Sequence, residues 1–246
     1  MNHIAVDVGN SCIKAGLVPA PAGAWNSVYR VNHPQEFQLA AEPLHWWIAS
    51  VNRRKCDELT GWIEAHRGRD RIQLLDWSHV PLDIQVAAPQ LVGMDRLCSA
   101  VAGHAMAGDQ PCIVVDAGTA ITVDAVSGGG EFLGGNIFGG LRGALDQLAQ
   151  STDALPRLEI PVVLDDVDAF GKTTAQAMQS GVVLAIVGGI SEIVGRMQRA
   201  FRHSAQVILT GGTAPLLKSQ LQFEYTLVEH LVLDGVVIVG QRLASP

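Results

Sequence analysis

The chain has 246 residues, 48% apolar and 17% charged, enough for one large or two small domains with a sizeable core. Its net charge of −7 excludes the broad basic face that nucleic acid or an anionic membrane requires, so neither is expected as a partner. A phosphate ligand must then be held by backbone amides, a helix N-terminus or a metal rather than by a lysine cluster.

Residues 3–18 read as two strands around a Gly-Asn turn, with a weaker third strand at 24–31. LHWWIASV, 44–51, suits a buried strand, 55–66 a helix and 72–76 another strand. After Gly93, Leu97, Val101, Ala105 and Met106 keep near-helical spacing, with Asp95 and Arg96 in the first turn. Strands follow at 112–116, 120–126 and 131–138, then an apolar helix at 141–150. The stretch 152–170 holds prolines and the acidic residues Asp165, Asp166 and Asp168, and reads as an irregular connection. One long helix or a pair covers 174–200, a strand and turn 207–212, a helix follows Thr213, and a last helix spans 229–243. The character of the chain changes near 87–93, dividing it into 1–90 and 91–246.

The four cysteines, Cys12, Cys56, Cys98 and Cys112, form no CxxC pair and lack a His at metal-ligand spacing. They read as small buried hydrophobes in a reducing cytosol. Asp7 interrupts the N-terminal apolar run with no basic segment before it, so no secretory leader is expected. The longest apolar run, 181–190, falls short of the roughly 20 residues a bilayer needs and reads as a buried helix. His104, His230 and the pair Trp46-Trp47 read as structural.

One pattern occurs twice. AVDVGNSCIKAGLV, 5–18, and VVDAGTAITVDAV, 114–126, each run apolar strand, Asp-x-Gly, small polar residue, apolar strand. Asp7 matches Asp116, Gly9 matches Gly118 and Asn10 matches Thr119. A single copy is most simply a hairpin turn. Two matched copies suggest two similarly folded halves across a cleft, each turn offering backbone N–H groups to phosphate oxygens. An Asp at the strand end cannot bind phosphate directly, but it can hold a cation that bridges to it.

GMDR, 93–96, sets a carboxylate and a guanidinium at a helix start. Asp95 there is either a general base for a substrate hydroxyl, with Arg96 holding an acidic group, or a helix-capping Asp beside a surface Arg. Spacing alone does not choose. LTGG, 209–212, reads as a strand end whose bare glycines admit a flat ring such as adenine. GKTT, 171–174, imitates the end of a P-loop, but Asp166 occupies the position of the required first glycine.

In order, DVGNS, GMDR, DAGTAITVD, GGNIFGGL, TTAQAMQSG and LTGG closely resemble a type III pantothenate kinase, from residue 3 to about 240. That family belongs to the acetate and sugar kinase, heat-shock ATPase and actin superfamily. The resemblance therefore implies an α/β fold of two duplicated ribonuclease-H-like halves, actin-like, facing across a cleft. By position, it implies that Asp7, Val8, Gly9, Asn10, Ser11, Cys12, Ile13 and Lys14 form a first phosphate loop, with Asp7 on the magnesium side. Thr119 is similar to a residue that contacts ATP. Asp95 resembles the general base on the pantothenate hydroxyl, within a substrate element Gly93, Met94, Asp95 and Arg96. Asp116 is similar to a carboxylate that binds a monovalent cation, potassium or ammonium. Thr174 resembles a substrate contact made across a homodimer interface. The implied reaction phosphorylates pantothenate to 4′-phosphopantothenate with ATP and magnesium, the first step of coenzyme A synthesis in the cytoplasm.

Three positions depart from the pattern. Val86, three residues before Pro89, replaces a usual Tyr of the substrate wall, Phe138 replaces a Pro, and Ser11 replaces a common Thr. Val86 and Phe138 leave open two other readings, a non-catalytic regulatory accessory factor and a kinase of another small hydroxy acid.

Overall fold

Continuous apolar runs become strands here because both faces of each central strand are covered. The computed structural model describes residues 2–18, 25–160, 167, 169–201 and 204–244. In chain order the elements are β1 (Asn2–Val8), β2 (Ile13–Leu17), β3 (Val28–Val31), β4 (Leu44–Ser50), α1 (Arg53–His66), β5 (Arg71–Leu74), β6 (Asp83–Ile84) and α2 (Met94–Ala107). Then come β7 (Cys112–Ala117), β8 (Ala120–Val126), β9 (Glu131–Gly139), α3 (Leu141–Gln150), α4 (Thr174–Ala200), β10 (Gln206–Thr210), α5 (Ala214–Leu217), β11 (Thr226–Leu227) and α6 (Leu231–Ala244). Asp165, Asp166 and Asp168 of the expected irregular connection lie outside the described residues.

The chain forms two compact units. Unit 1 takes Met1–Gly108, Gly130–Leu133 and His230–Pro246; unit 2 takes Asp109–Gly129 and Gly134–Glu229.

In unit 1 the sheet order is β3-β2-β1-β4-β5. β1 pairs antiparallel with β2, which pairs antiparallel with β3, while β4 is parallel to both β1 and β5. Alternation assigns the faces. Ile4, Val6, Trp46 and Ile48 join Cys56, Leu59 and Ile63 of α1 in one core cluster. The three α1 residues follow an i, i+3, i+7 stripe, and each large aliphatic among them gains about 2 kcal/mol by full burial. α6 packs against β1, β4 and α2. Trp46 and Trp47 are both buried, as expected, on opposite faces of β4.

A buried ion pair ties the edge of this sheet. The Asp70 carboxylate accepts from the Trp46 indole (2.7 Å), the Leu44 amide (3.1 Å) and Arg67 Nε, while Arg67 also donates to the carbonyls of Ala40 and Glu42. Burial alone would raise the Asp70 pKa, but these donors outweigh it and hold the carboxyl below its ordinary value. A depressed folded pKa stabilises above the unfolded value and is lost as pH falls through the folded one. Asp70→Ala is therefore expected to cost about 3 kcal/mol at pH 7, because it strands Arg67. In urea melts the deficit should shrink below about pH 4; a deficit independent of pH counts against this assignment.

The strands of unit 2 run in the order β9-β8-β7-β10-β11, in a six-stranded sheet whose sixth strand, β6, pairs parallel with the start of β9. β7 is antiparallel to β8 and parallel to β10, which is parallel to β11. This repeats the order and the pairing directions of unit 1, strand for strand where both are given. Each unit is a ribonuclease-H-like half, so the repeat seen in two turns extends to whole sheets. The core joins Ile113, Val115, Ile121 and Val123 to Leu141 and Leu145 of α3 and to α4.

α4 is one helix of 27 residues, long and apolar enough by length and composition to cross a membrane. It contains the run 181–190 and takes the single-helix form of the two expected over 174–200. Met178, Val182, Ile186, Ile190 and Val194 are buried in the unit 2 core, while Gly181, Leu184, Ala185 and Gly188 are exposed. The helix is thus buried on one side rather than all round. GKTT is its cap. Thr173 accepts from the Gln176 amide (3.2 Å) and the Gln176 side chain accepts from the Lys172 amide (3.0 Å).

Candidate active site

Asp7 is next to last in β1 and is 6% exposed. Antiparallel register sets it opposite Lys14, whose Nζ lies 3.8 Å from Asp7 Oδ2. Between these strands Gly9 N–H donates to the Cys12 carbonyl (3.1 Å), leaving Asn10 and Ser11 exposed at the tip. The start of α1 reaches this tip, with Lys55 Nζ 3.0 Å from the Ser11 carbonyl and Asn52 Nδ2 3.3 Å from Asn10 Oδ1.

α2 begins after Gly93, which has no side chain to cap the helix. Asp95 serves instead, its Oδ1 accepting from the Arg96 amide at 2.8 Å. That fold-back needs a bare residue 93, where a Cβ would lie 2.5 Å from Asp95 Oδ1 and 3.3 Å from Val51 Cγ1. The backbone of Gly93, φ −58° and ψ 134°, is open to any residue, so the glycine is required by the carboxylate. Gly93→Ala should therefore displace the Asp95 carboxylate at little cost in stability. The melting temperature of this variant is expected to stay within about 2 °C of the unaltered chain, and a large fall would count against this account of Gly93.

One turn further on, Cys98 is fully buried. Burial pushes its thiol far up, and the charges of Asp7 and Asp95 push it further. Both carboxylates thus act on one interior sulfur, and Asp7, Lys14 and Asp95 all belong to unit 1. The Arg96 guanidinium stands 5.8 Å from the centre of the Phe132 ring, while its carbonyl accepts from Ser99. Val86 is half-buried between β6 and the 3-10 turn Pro89–Leu91.

Unit 2 contains the matching turn. Asp116 is next to last in β7, and Gly118 N–H donates to the Ala120 carbonyl (3.1 Å) to close the corner at Thr119. Two glycines enclose it. A Cβ on Gly140 would lie 2.5 Å from the Gly118 carbonyl and 2.6 Å from that of Thr119. One on Gly211, whose φ is 99°, would meet the Asp116 carboxylate oxygen and lie 2.5 Å from the Ala117 carbonyl carbon and oxygen. The Cβ position of Gly211 is taken up by Asp116 and Ala117, so packing within unit 2 accounts for this glycine. Thr213 locks the arrangement, its amide (2.9 Å) and hydroxyl (2.7 Å) both donating to the Ala117 carbonyl. Gly140, Gly211 and Thr213 were missed as parts of this turn because their spacing in sequence carries no trace of the contact. Thr174 opens α4 and is exposed.

Among the described residues no group of three or more His, Cys, Asp or Glu could hold a metal ion. A cation would therefore share one carboxylate with carbonyl or phosphate oxygens. Asp7 suits magnesium, which takes one or two carboxylates and completes its shell with phosphate and water. Asp116 has main-chain oxygens as neighbours, since a Cβ on Gly211 would meet both its carboxylate and the Ala117 carbonyl. Phe138 has a packing account, its ring 3.8 Å from where a Cβ on Gly189 of α4 would lie.

A family model described as type III pantothenate kinase matches residues 3–196. A type III pantothenate kinase from Rhodococcus opacus (strain B4) is 38% identical over 263 residues, covering 97% of this chain and 94% of the relative. One from Mycobacteroides abscessus is 32% identical over 261 residues, with the same two coverages of 97% and 94%. Among solved structures, a candidate 2-dehydro-3-deoxygalactonokinase from Sinorhizobium meliloti superposes with a TM-score of 0.57 at 16% identity, covering 98% of this chain and 99% of that one. The ethanolamine utilization protein EutJ from Carboxydothermus hydrogenoformans gives 0.52 at 15% identity, covering 97% and 89%. These two likenesses are of fold.

Proposed function

Because the chain belongs to the type III pantothenate kinase family, we propose that it transfers the γ-phosphoryl group of ATP to the primary hydroxyl of pantothenate. The products are 4′-phosphopantothenate, for coenzyme A synthesis, and ADP. The observation in the site that carries this reading is the Asp95 carboxylate folded over bare Gly93, in one unit with the Asp7 turn.

Asp95 takes the hydroxyl proton as the oxygen attacks phosphorus and the bond to the ADP oxygen breaks. The Arg96 amide holds Asp95 Oδ1, fixing the rotamer of the base. Arg96 itself attracts the pantothenate carboxylate, and Gly93 and Met94 complete that element. The turn from Asp7 through Val8, Gly9, Asn10, Ser11, Cys12 and Ile13 to Lys14 receives ATP phosphates, as does Thr119. Asp7 would hold a magnesium ion, which when bound neutralises phosphate charge. Asp116, with nearby carbonyls, would hold a monovalent cation, potassium or ammonium. Val86 takes the place of an aromatic substrate wall. The exposed small and apolar positions of α4, Gly181, Leu184, Ala185 and Gly188, support a homodimer in which Thr174 reaches the partner's substrate. The cytoplasm is the expected compartment.

The test is ADP release in magnesium and potassium, with and without pantothenate. Stimulation by pantothenate supports the reading. No stimulation across a panel of hydroxy acids overturns it in favour of an accessory factor, and stimulation by a different acid reassigns the substrate.

A further inference from the structure

We infer that Asn52 and Lys55, at the start of α1, are positioning residues for the phosphates of ATP, acting through the turn Gly9–Cys12. The inference rests on the reading that this turn binds ATP.

The tip of the turn is exposed, and its conformation is tied to α1. Lys55 Nζ donates to the Ser11 carbonyl (3.0 Å) and Asn52 Nδ2 donates to Asn10 Oδ1 (3.3 Å). Neither donor is loose. Asn52 Oδ1 accepts from the Lys55 amide (3.1 Å), and its own amide donates to Ser50 Oγ (3.2 Å). One residue earlier, the Val51 amide donates to the Val8 carbonyl (3.1 Å), fixing the base of α1 to the strand that leads into the turn.

The peptide plane converts this anchoring into a phosphate contact. A trans peptide points its C=O and N–H in opposite directions. With the Ser11 carbonyl drawn to the Lys55 ammonium, the Cys12 N–H is aimed away from α1. A carbonyl held by a cation also cannot swing toward an incoming phosphate and repel it. Lys55 thereby keeps an acceptor out of the phosphate surface and adds a positive charge behind it.

Charge placement argues the same way. Arg53, Arg54 and Lys55 are consecutive in a chain of net charge −7, and the first turn of α1 has no acidic residue. The positive end of the helix dipole disfavours cations there. Local choices that oppose stability cluster at functional sites. A triphosphate supplies the negative charge that this helix start lacks, and Lys14 on β2 adds a cation on the other side of the turn. The overall acidity of the chain therefore conceals a local basic cluster beside the turn.

Lys55→Met, Lys55→Arg and Asn52→Asp test this in the full chain. Asp caps a helix as well as Asn, so Asn52→Asp keeps α1 while presenting an oxygen to Asn10 Oδ1. MgATP affinity is measured by calorimetry with no acceptor, then KM for ATP and for pantothenate, and the melting temperature. Lys55→Met and Asn52→Asp are each expected to raise the Kd and KM of ATP about tenfold, the scale of one charge-assisted or turn-fixing bond. The KM of pantothenate and the melting temperature should hold, and Lys55→Arg should stay within about threefold of the unaltered chain. Unchanged ATP affinity in both variants overturns the inference, and so does an equal rise in both KM values. No MgATP binding by the unaltered chain overturns it as well. MgATP binding without pantothenate-dependent turnover overturns the substrate reading alone, and the Kd series still tests Asn52 and Lys55.

Discussion

Asp95→Asn is expected to lower kcat by about 10³-fold while leaving a folded protein. Asn is isosteric and still offers Oδ1 to the Arg96 amide, so the start of α2 keeps its bond. What it cannot do is accept a proton, and a positioned general base contributes roughly 10²–10⁴ in rate. The loss of a negative charge at a helix N-terminus costs about 0.3–1 kcal/mol. The checks are steady-state turnover with pantothenate and thermal melting by circular dichroism. Turnover near that of the unaltered chain would remove Asp95 from the role of base. A collapse of the melting temperature would show it to be structural.

Gly211→Ala should have the largest effect among residues that never touch substrate. Its φ of 99° lies where L-residues carry strain, and its missing Cβ makes room for the Asp116 carboxylate and the Ala117 carbonyl. Backbone atoms of β7 cannot yield as a flexible side chain would. Strain and overpacking together are expected to cost about 3–5 kcal/mol, a fall in melting temperature of roughly 10 °C. The activation by potassium proposed above for Asp116 should weaken in the same variant, because relief of the clash moves that carboxylate. The measurements are a melt and a potassium titration of activity. A melting temperature within about 2 °C of the unaltered chain contradicts the packing argument.

Much of the fold was legible because the strands of both halves are short apolar runs ended by turn residues. The hairpins at Asp7 and Asp116 were readable from their matched flanks, and so was the helix after Gly93. β6 and β11, with two residues each, are too short for any periodicity to show. The expected helix after Thr213 is a single turn, Ala214–Leu217, with Pro215 in its first turn and Lys218 already at its C-cap. Composition could also not assign α2 and α6 to the sheet of unit 1. Their apolar faces match several surfaces, and only packing selects among them.

The candidate site was legible where a residue type is itself the chemistry. Asp7, Asp95 and Asp116 stood out for that reason. Residues that act by their absence of bulk did not. Gly211 gives no sign in sequence that it makes room for Asp116. Lys55 was hidden in what reads as an ordinary solvated charge run, because a bond spanning 44 residues leaves no periodic signal.

The route of the chain through unit 1 bears on how the protein comes to be folded during synthesis. β1 and β4 are made before unit 2, yet they pack against α6, which is made after the whole of unit 2. A ribosome working at its usual pace of about 5–20 residues per second completes the second ribonuclease-H-like half while the first still has an apolar sheet face uncovered. The half that begins first therefore finishes last, and in the meantime that uncovered face is the part of the nascent chain that a chaperone would have reason to hold.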